Sequence, residues 1–110
     1  MKIKHKIWLE ANGKVIFGQG RTELLRAIDE CRSLNAAAKK LNMSYRAAWG
    51  RLKASEERMG LKLAEKDASA GGMRLTDDAR QLLLSFEQLE GEVASFLEYM
   101  CHKLSFPPSD

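Results

Sequence analysis

The chain has little of what staples, breaks or anchors a small protein. Its 110 residues include two cysteines, Cys31 and Cys101. Two thiols so far apart read as free groups in a reducing compartment, not as a disulfide framework. The cytoplasm is therefore the expected location. The two prolines, Pro107 and Pro108, sit together near the C-terminal end, so nothing before them forces a helix to stop. No run approaches the roughly 18 apolar residues of a membrane span. The basic start, MKIKHKIWLE, alternates instead of presenting the apolar block of a signal peptide. No membrane partner is expected, and repeats and linkers are lacking too. The length suits one domain with a modest core.

Groups for chemistry are equally sparse. GQGRTE, residues 18–23, echoes a dinucleotide-binding fingerprint, but Glu23 stands where the third glycine belongs. Its charge would repel a pyrophosphate. His102 follows Cys101, yet adjacent helical residues diverge by about 100° and no second ligand pair accompanies them. Neither a Ser/His/Asp set nor a pair of opposed carboxylates stands out. The reading is a non-catalytic protein with no cofactor and no metal.

What is present is a division of charge. The net charge is only +3, but residues 35–60 hold six cations against two carboxylates, and residues 76–104 hold two against six. One part can face a polyanion that the other would repel.

The pattern along the chain predicts β-β-α-α-α-β-β-α. In KIKHKIWLE, Ile3, His5 and Ile7 alternate with Lys2, Lys4, Lys6 and Trp8, as on a strand. Asn12-Gly13 suits a hairpin turn before VIF resumes the strand, so residues 2–18 read as a hairpin. Thr22 can cap a helix with Leu24, Leu25, Ile28 and Cys31 on one face that ends near Ser33. Asn35 can cap a short second helix. Ser44 caps a third, running to Met59 before Gly60. LKLAEK and MRLT, around DASAGG, are short strands. From Thr76 a last helix runs to about Leu104. Three helices followed by a strand–turn–strand is the order of a winged helix-turn-helix, mainly α with small β. The expected division is a winged unit over 1–75 and a long dimerisation helix over 76–106, within a single domain.

NAAAKKLNMSYRAAWGRLK carries the function. Ala37 and Ala38 are small enough for a following helix to cross closely. Asn42 can take the left-handed conformation, Met43 is an apolar plug, and Ser44 is a cap, as two steeply crossing helices require. Ala48, Leu52, Ser55 and Met59 share one side of the third helix; Arg46, Trp49, Gly50 and Lys53 lie roughly opposite, and Tyr45 projects from its first turn. Arginine can bond guanine in bidentate fashion, lysine can meet phosphate, and aromatic edges can touch thymine methyls or sugars. The free N–H groups near Ser44 can hold a phosphate. Trp49 could instead lean on the hairpin or the last helix, and Arg51 reads as a solvated flank. In EKDASAGGMRL, Gly71 and Gly72 permit a tight turn flanked by Lys66 and Arg74, a wing for the backbone or minor groove.

In the last helix, Leu75, Ala79, Leu82, Phe86, Leu89, Val93, Phe96 and Met100 alternate spacings of four and three, an apolar heptad seam. Leu97 lies in a second stripe beside it. Two copies could bury these surfaces against each other. A two-fold dimer would then set two recognition helices about 34 Å apart, or a multiple of that, to read an inverted repeat.

NAAAKKLNMSYRAAWGRL resembles the helix-turn-helix of LysR-type regulators, and MSYRAAW in particular resembles the recognition helix of the molybdate-responsive ModE-type regulators. The likeness extends to the leading strands, to GGMRLTDDARQLL and to the long last helix. It implies recognition-helix roles for Ser44, Tyr45, Arg46 and Trp49, and dimerisation through the last helix; Asn35, Gly50, Lys53, Lys66, Gly71, Gly72 and Arg74 are expected to join them on DNA. It corresponds to the DNA-binding domain of that family alone. The expected function is thus a dimeric, sequence-specific regulator of transcription lacking the molybdate-binding domains, and whether a separate molybdate-binding protein is a further partner is left open by the sequence. The alternative is an interaction module, a winged scaffold that docks another protein.

Overall fold

Asn12 and Gly13 both take positive φ, 53° and 77°, the pair of left-handed residues that a two-residue hairpin turn demands. They join β1 (Leu9–Ala11) to β2 (Lys14–Phe17) in an antiparallel pair. A computed structural model, describing residues 1–68 and 71–105, continues in the expected order. It has α1 (Gln19–Cys31), α2 (Leu34–Lys40), α3 (Tyr45–Met59), β3 (Ala64–Asp67), β4 (Gly72–Leu75) and α4 (Asp77–Cys101). The second strand pair is antiparallel, in register from Ala64 opposite Leu75 to Asp67 opposite Gly72. No helix among the described residues is long and apolar enough to cross a membrane.

Three sequence expectations change. The leading hairpin is far shorter than residues 2–18. β2 has four residues before α1 begins, so residues 2–8 have no strand to pair with, whatever their alternation. Helix α1 starts at Gln19, capped by the Gly18 backbone and not by Thr22. Thr22 lies buried one turn in and donates its hydroxyl to the Gly18 carbonyl at 2.8 Å. Helix α2 is capped by Ser33, whose hydroxyl oxygen accepts the Ala36 N–H at 3.1 Å. Asn35 therefore sits inside the helix, because Leu34 enters the core and takes the first helical position.

The caps at Ser44 and Thr76 form as expected, each accepting the backbone N–H three residues on. Gly60 ends α3 in the left-handed conformation. Helix α4 spans 25 residues, about 37 Å at 1.5 Å per residue. It stops at Cys101, before Leu104. Pro107 and Pro108, expected to end it, lie outside the described residues, as do Ser69 and Ala70 of the wing turn.

The core gathers Phe17 from the hairpin, Leu24, Leu25 and Ile28 from α1, Leu52 from α3, Leu63 and Leu75 from the wing, and Phe86 from α4. Phe86 meets Phe17 edge to face, with ring centroids 5.0 Å apart. This corrects its assignment to the dimer seam, since the ring is 2% exposed within its own domain. Leu82 also packs against this core, partly buried. The heptad pattern runs unbroken in sequence, but its first half serves the fold. Leu75, Ala79, Leu83 and Phe86 are buried, whereas Leu89 and Phe96 remain 40% and 60% exposed. The globular part simply ends before α4 does.

Candidate nucleic-acid interface

Helices α2 and α3 meet because Ala37, Ala38 and Ala48 are fully buried and carry no bulk to hold them apart. Asn42 takes φ 56° between them, a left-handed geometry asparagine tolerates. The Met43 N–H returns to the Ala38 carbonyl at 2.9 Å, and Met43 itself packs on the core. These contacts fix the crossing, and Ala48, Leu52 and Ser55 give α3 its inner side.

The outer side holds the residues expected there. Tyr45 and Trp49 are 51% and 44% exposed, so Trp49 is not consumed by the hairpin or by α4. Ser44, Arg46, Gly50 and Lys53 are exposed beside them. The Lys53 ammonium lies 5.1 Å from the Trp49 ring centroid and 3.3 Å from Glu56 Oε1. The second Glu56 oxygen accepts the Leu63 and Ala64 N–H groups at 2.8 and 3.3 Å. Glu56 thus links α3 to the first wing strand. Asn35 is exposed on α2.

The wing residues are arranged otherwise than by a plain glycine turn. Of the two glycines, Gly71 has positive φ, 71°, and Gly72 does not. Gly72 is needed for a different reason: a Cβ there would lie 2.1 Å from the Arg32 carbonyl oxygen. That carbonyl accepts the Met73 N–H at 3.0 Å. Arg32, left-handed at φ 56° after α1, also brings its guanidinium to 3.7 Å from Asp67. The wing root is therefore joined to the end of α1. Lys66 is exposed, and Arg74 is exposed with Glu65 3.4 Å away.

Sequence reasoning missed Arg32, Ser33 and Glu56. Ser33 did carry a signal as a capping residue two positions before Asn35. Nothing local marked Arg32, because left-handed arginine is uncommon and its partners lie about 40 positions on. Arg21, in the first turn of α1, was missed as well. Its Nε donates to Ser55 Oγ at 3.0 Å, and Ser55 donates to the Arg51 carbonyl at 2.8 Å. Partial burial, then the charges of Arg58 and Arg51, lower the pKa of Arg21 from its ordinary value. A serine at this inner position therefore ties α1 to α3.

A closely packed helix pair joined by a tight turn, a strand pair joined to the first helix and an aromatic-and-cation face on the third together define a winged helix-turn-helix domain. Residues 20–80 match the family described as bacterial regulatory helix-turn-helix protein, lysR family, and the chain belongs to that family. It is 37% identical over 73 residues to the transcriptional regulator ModE of Haemophilus influenzae, covering 64% of this chain and 29% of that protein. It is 33% identical over 88 residues to the molybdenum transport protein ModE of Azotobacter vinelandii, covering 77% of this chain and 33% of that protein. The chain thus spans about a third of the length of these curated relatives. Among solved structures, the BenM DNA-binding domain in complex with benA site 1 DNA has the same fold. Its TM-score is 0.61 at 18% identity, over 80% of this chain and 97% of that one.

Proposed function

We propose that this chain binds duplex DNA sequence-specifically as a homodimer and regulates transcription. The observation that carries the reading is the outer face of α3: two large aromatics stand half exposed among cations on a domain that has a core for them elsewhere. Tyr45, Arg46, Trp49, Gly50 and Lys53 enter the major groove. Ser44 and Asn35 hold the flanking backbone, and Lys66, Gly71, Gly72 and Arg74 present the wing to backbone or minor groove. Residues 1–75, completed by the first half of α4, form the reading unit, and the free half of α4, within residues 76–106, is the pairing unit. Leu89, Val93, Phe96, Leu97 and Met100 on the free half of α4 meet a second copy. Phe86 does not take part. The work is binding and not catalysis, carried out in the cytoplasm. A response to molybdate would reach the chain through a separate oxyanion-binding protein.

The test is fluorescence anisotropy with a duplex selected from a random pool, beside a random duplex. Arg46→Ala should weaken the selected site by ~1–3 kcal/mol and relax base preference. An unchanged ratio between the two duplexes would remove Arg46 as a base reader. No binding by the parent to either duplex at low salt would favour an interaction module instead.

A further inference from the structure

The chain has eight arginines. Arg26, Arg32, Arg74 and Arg80 each have a carboxylate within salt-bridge distance. Arg21, Arg46, Arg51 and Arg58 have none among the described residues. Arg46 stands on the outer face of α3. The other three, from two different helices, are gathered at one place.

Arg21 reaches Ser55 from α1, and Ser55 lies between Arg51 and Arg58 on α3. Arg58 Nη1 donates to the Val15 carbonyl at 3.1 Å, tying the group to the hairpin. Lys6 and Arg21 line one surface hollow beside it, and Lys14 is exposed at the hairpin turn. Carboxylates lie close by too: Glu10, opposite Val15 on the hairpin, accepts the Trp8 indole N–H at 2.7 Å. Glu23, in the same hollow, holds the Gln19 amide, and Glu56 is engaged by Lys53 and the wing backbone. Partial burial first, then the charges of Arg58 and Arg51, lower the pKa of Arg21. Like charges held together while the nearby carboxylates are engaged by other partners are unfavourable in the free protein and relieved by a polyanion. Arg21 and Arg32 lie near opposite ends of α1, eleven residues or about 16 Å apart along the axis. The cluster and the wing root therefore flank the helix-turn-helix from two sides.

We propose that Arg21, Arg51 and Arg58 form a second phosphate-gripping surface, which holds the DNA backbone on the side of the domain away from the wing. This rests on the DNA-binding reading above and adds to it a contact made by α1 and the flank of α3. The arginines contribute affinity without sequence choice, since phosphates are the same at every step.

The experiment measures affinity of the full chain against salt concentration, for selected and random duplexes. Arg51→Gln with Arg58→Gln should lower the slope of log affinity against log salt by about two units, roughly 0.9 for each phosphate no longer neutralised. Affinity should fall by the same factor for both duplexes, and Arg51→Lys with Arg58→Lys should restore the slope. Both side chains are at the surface, so the variant keeps its core; Arg21→Gln, which also releases Ser55, is the secondary variant. An unchanged slope, with Arg46→Ala still weakening the selected site, would overturn the second grip and leave the recognition helix standing. A loss of preference between duplexes would make these arginines base readers and overturn it too. A parent that binds no duplex would overturn both readings.

Discussion

Replacing Gly72 by alanine loads one backbone contact and nothing else. The new Cβ would stand 2.1 Å from the Arg32 carbonyl oxygen and 3.3 Å from its carbon. Close carbon–oxygen contacts settle at roughly 3.3 Å, so β4 must retreat by about 1 Å. That movement stretches the Met73 N–H bond to Arg32, now 3.0 Å, beyond useful length. Loss of one such bond costs ~1 kcal/mol, and strain from overpacking adds ~1–3 kcal/mol. At about 4–8 °C per kcal/mol for a domain near this size, the unfolding midpoint should fall by at least ~8 °C. Gly91→Ala is the matched control. Gly91 lies within α4 and its Cβ would meet nothing within 4 Å, so helix propensity should raise stability by ~1 kcal/mol. Both variants are followed by circular dichroism on heating, at one protein concentration so that association is held constant. If Gly72→Ala melted with the parent while Gly91→Ala melted higher, the wing root would not be a rigid joint and the reasoning would fail.

Three further outcomes follow from the same geometry. Phe86→Ala removes the partner of Phe17 from the core and should cost ~3–5 kcal/mol in denaturant titration. Leu89→Gln with Phe96→Gln alters exposed positions, so sedimentation should show a monomer whose unfolding midpoint no longer depends on protein concentration; a variant that stays dimeric would exclude this half of α4 as the pairing surface. The Lys40 hydrogen bond, then its charge, holds the Glu30 carboxyl below the usual carboxylate range. A lowered folded-state pKa means the pair's contribution is present above the ordinary glutamate pKa and fades as pH falls through the lowered one. NMR titration should show Glu30 depressed in the parent and returned to the usual range in Lys40→Ala.

Where the sequence was readable, the causes were local. Asn12-Gly13, Asn42 and Gly60 took the left-handed conformations their residue types favour, and Ser44 and Thr76 capped the helices they precede. The outward placement of Tyr45 and Trp49 followed from the 3.6-residue period that turned Ala48, Leu52 and Ser55 inward. Errors arose where two local signals competed. Ser33 and Asn35 are both good caps, and the burial of Leu34 decided between them. Thr22 yielded to Gly18. Residues 2–8 alternate like a strand, but alternation supplies no partner.

Residue order alone determined the succession of elements, the turns, the caps at Ser44 and Thr76, and which face of α3 looks outward, because each depends on hydrogen bonds or periodicity within a few positions. Only the folded chain decided how far along α4 the core reaches, leaving Phe86 inside and Phe96 outside. It also joined the wing to Arg32 and drew Arg21 toward Arg51 and Arg58. Those outcomes depend on where separate elements come to rest against one another, and packing across 30 or more positions leaves no periodic trace in the order of residues.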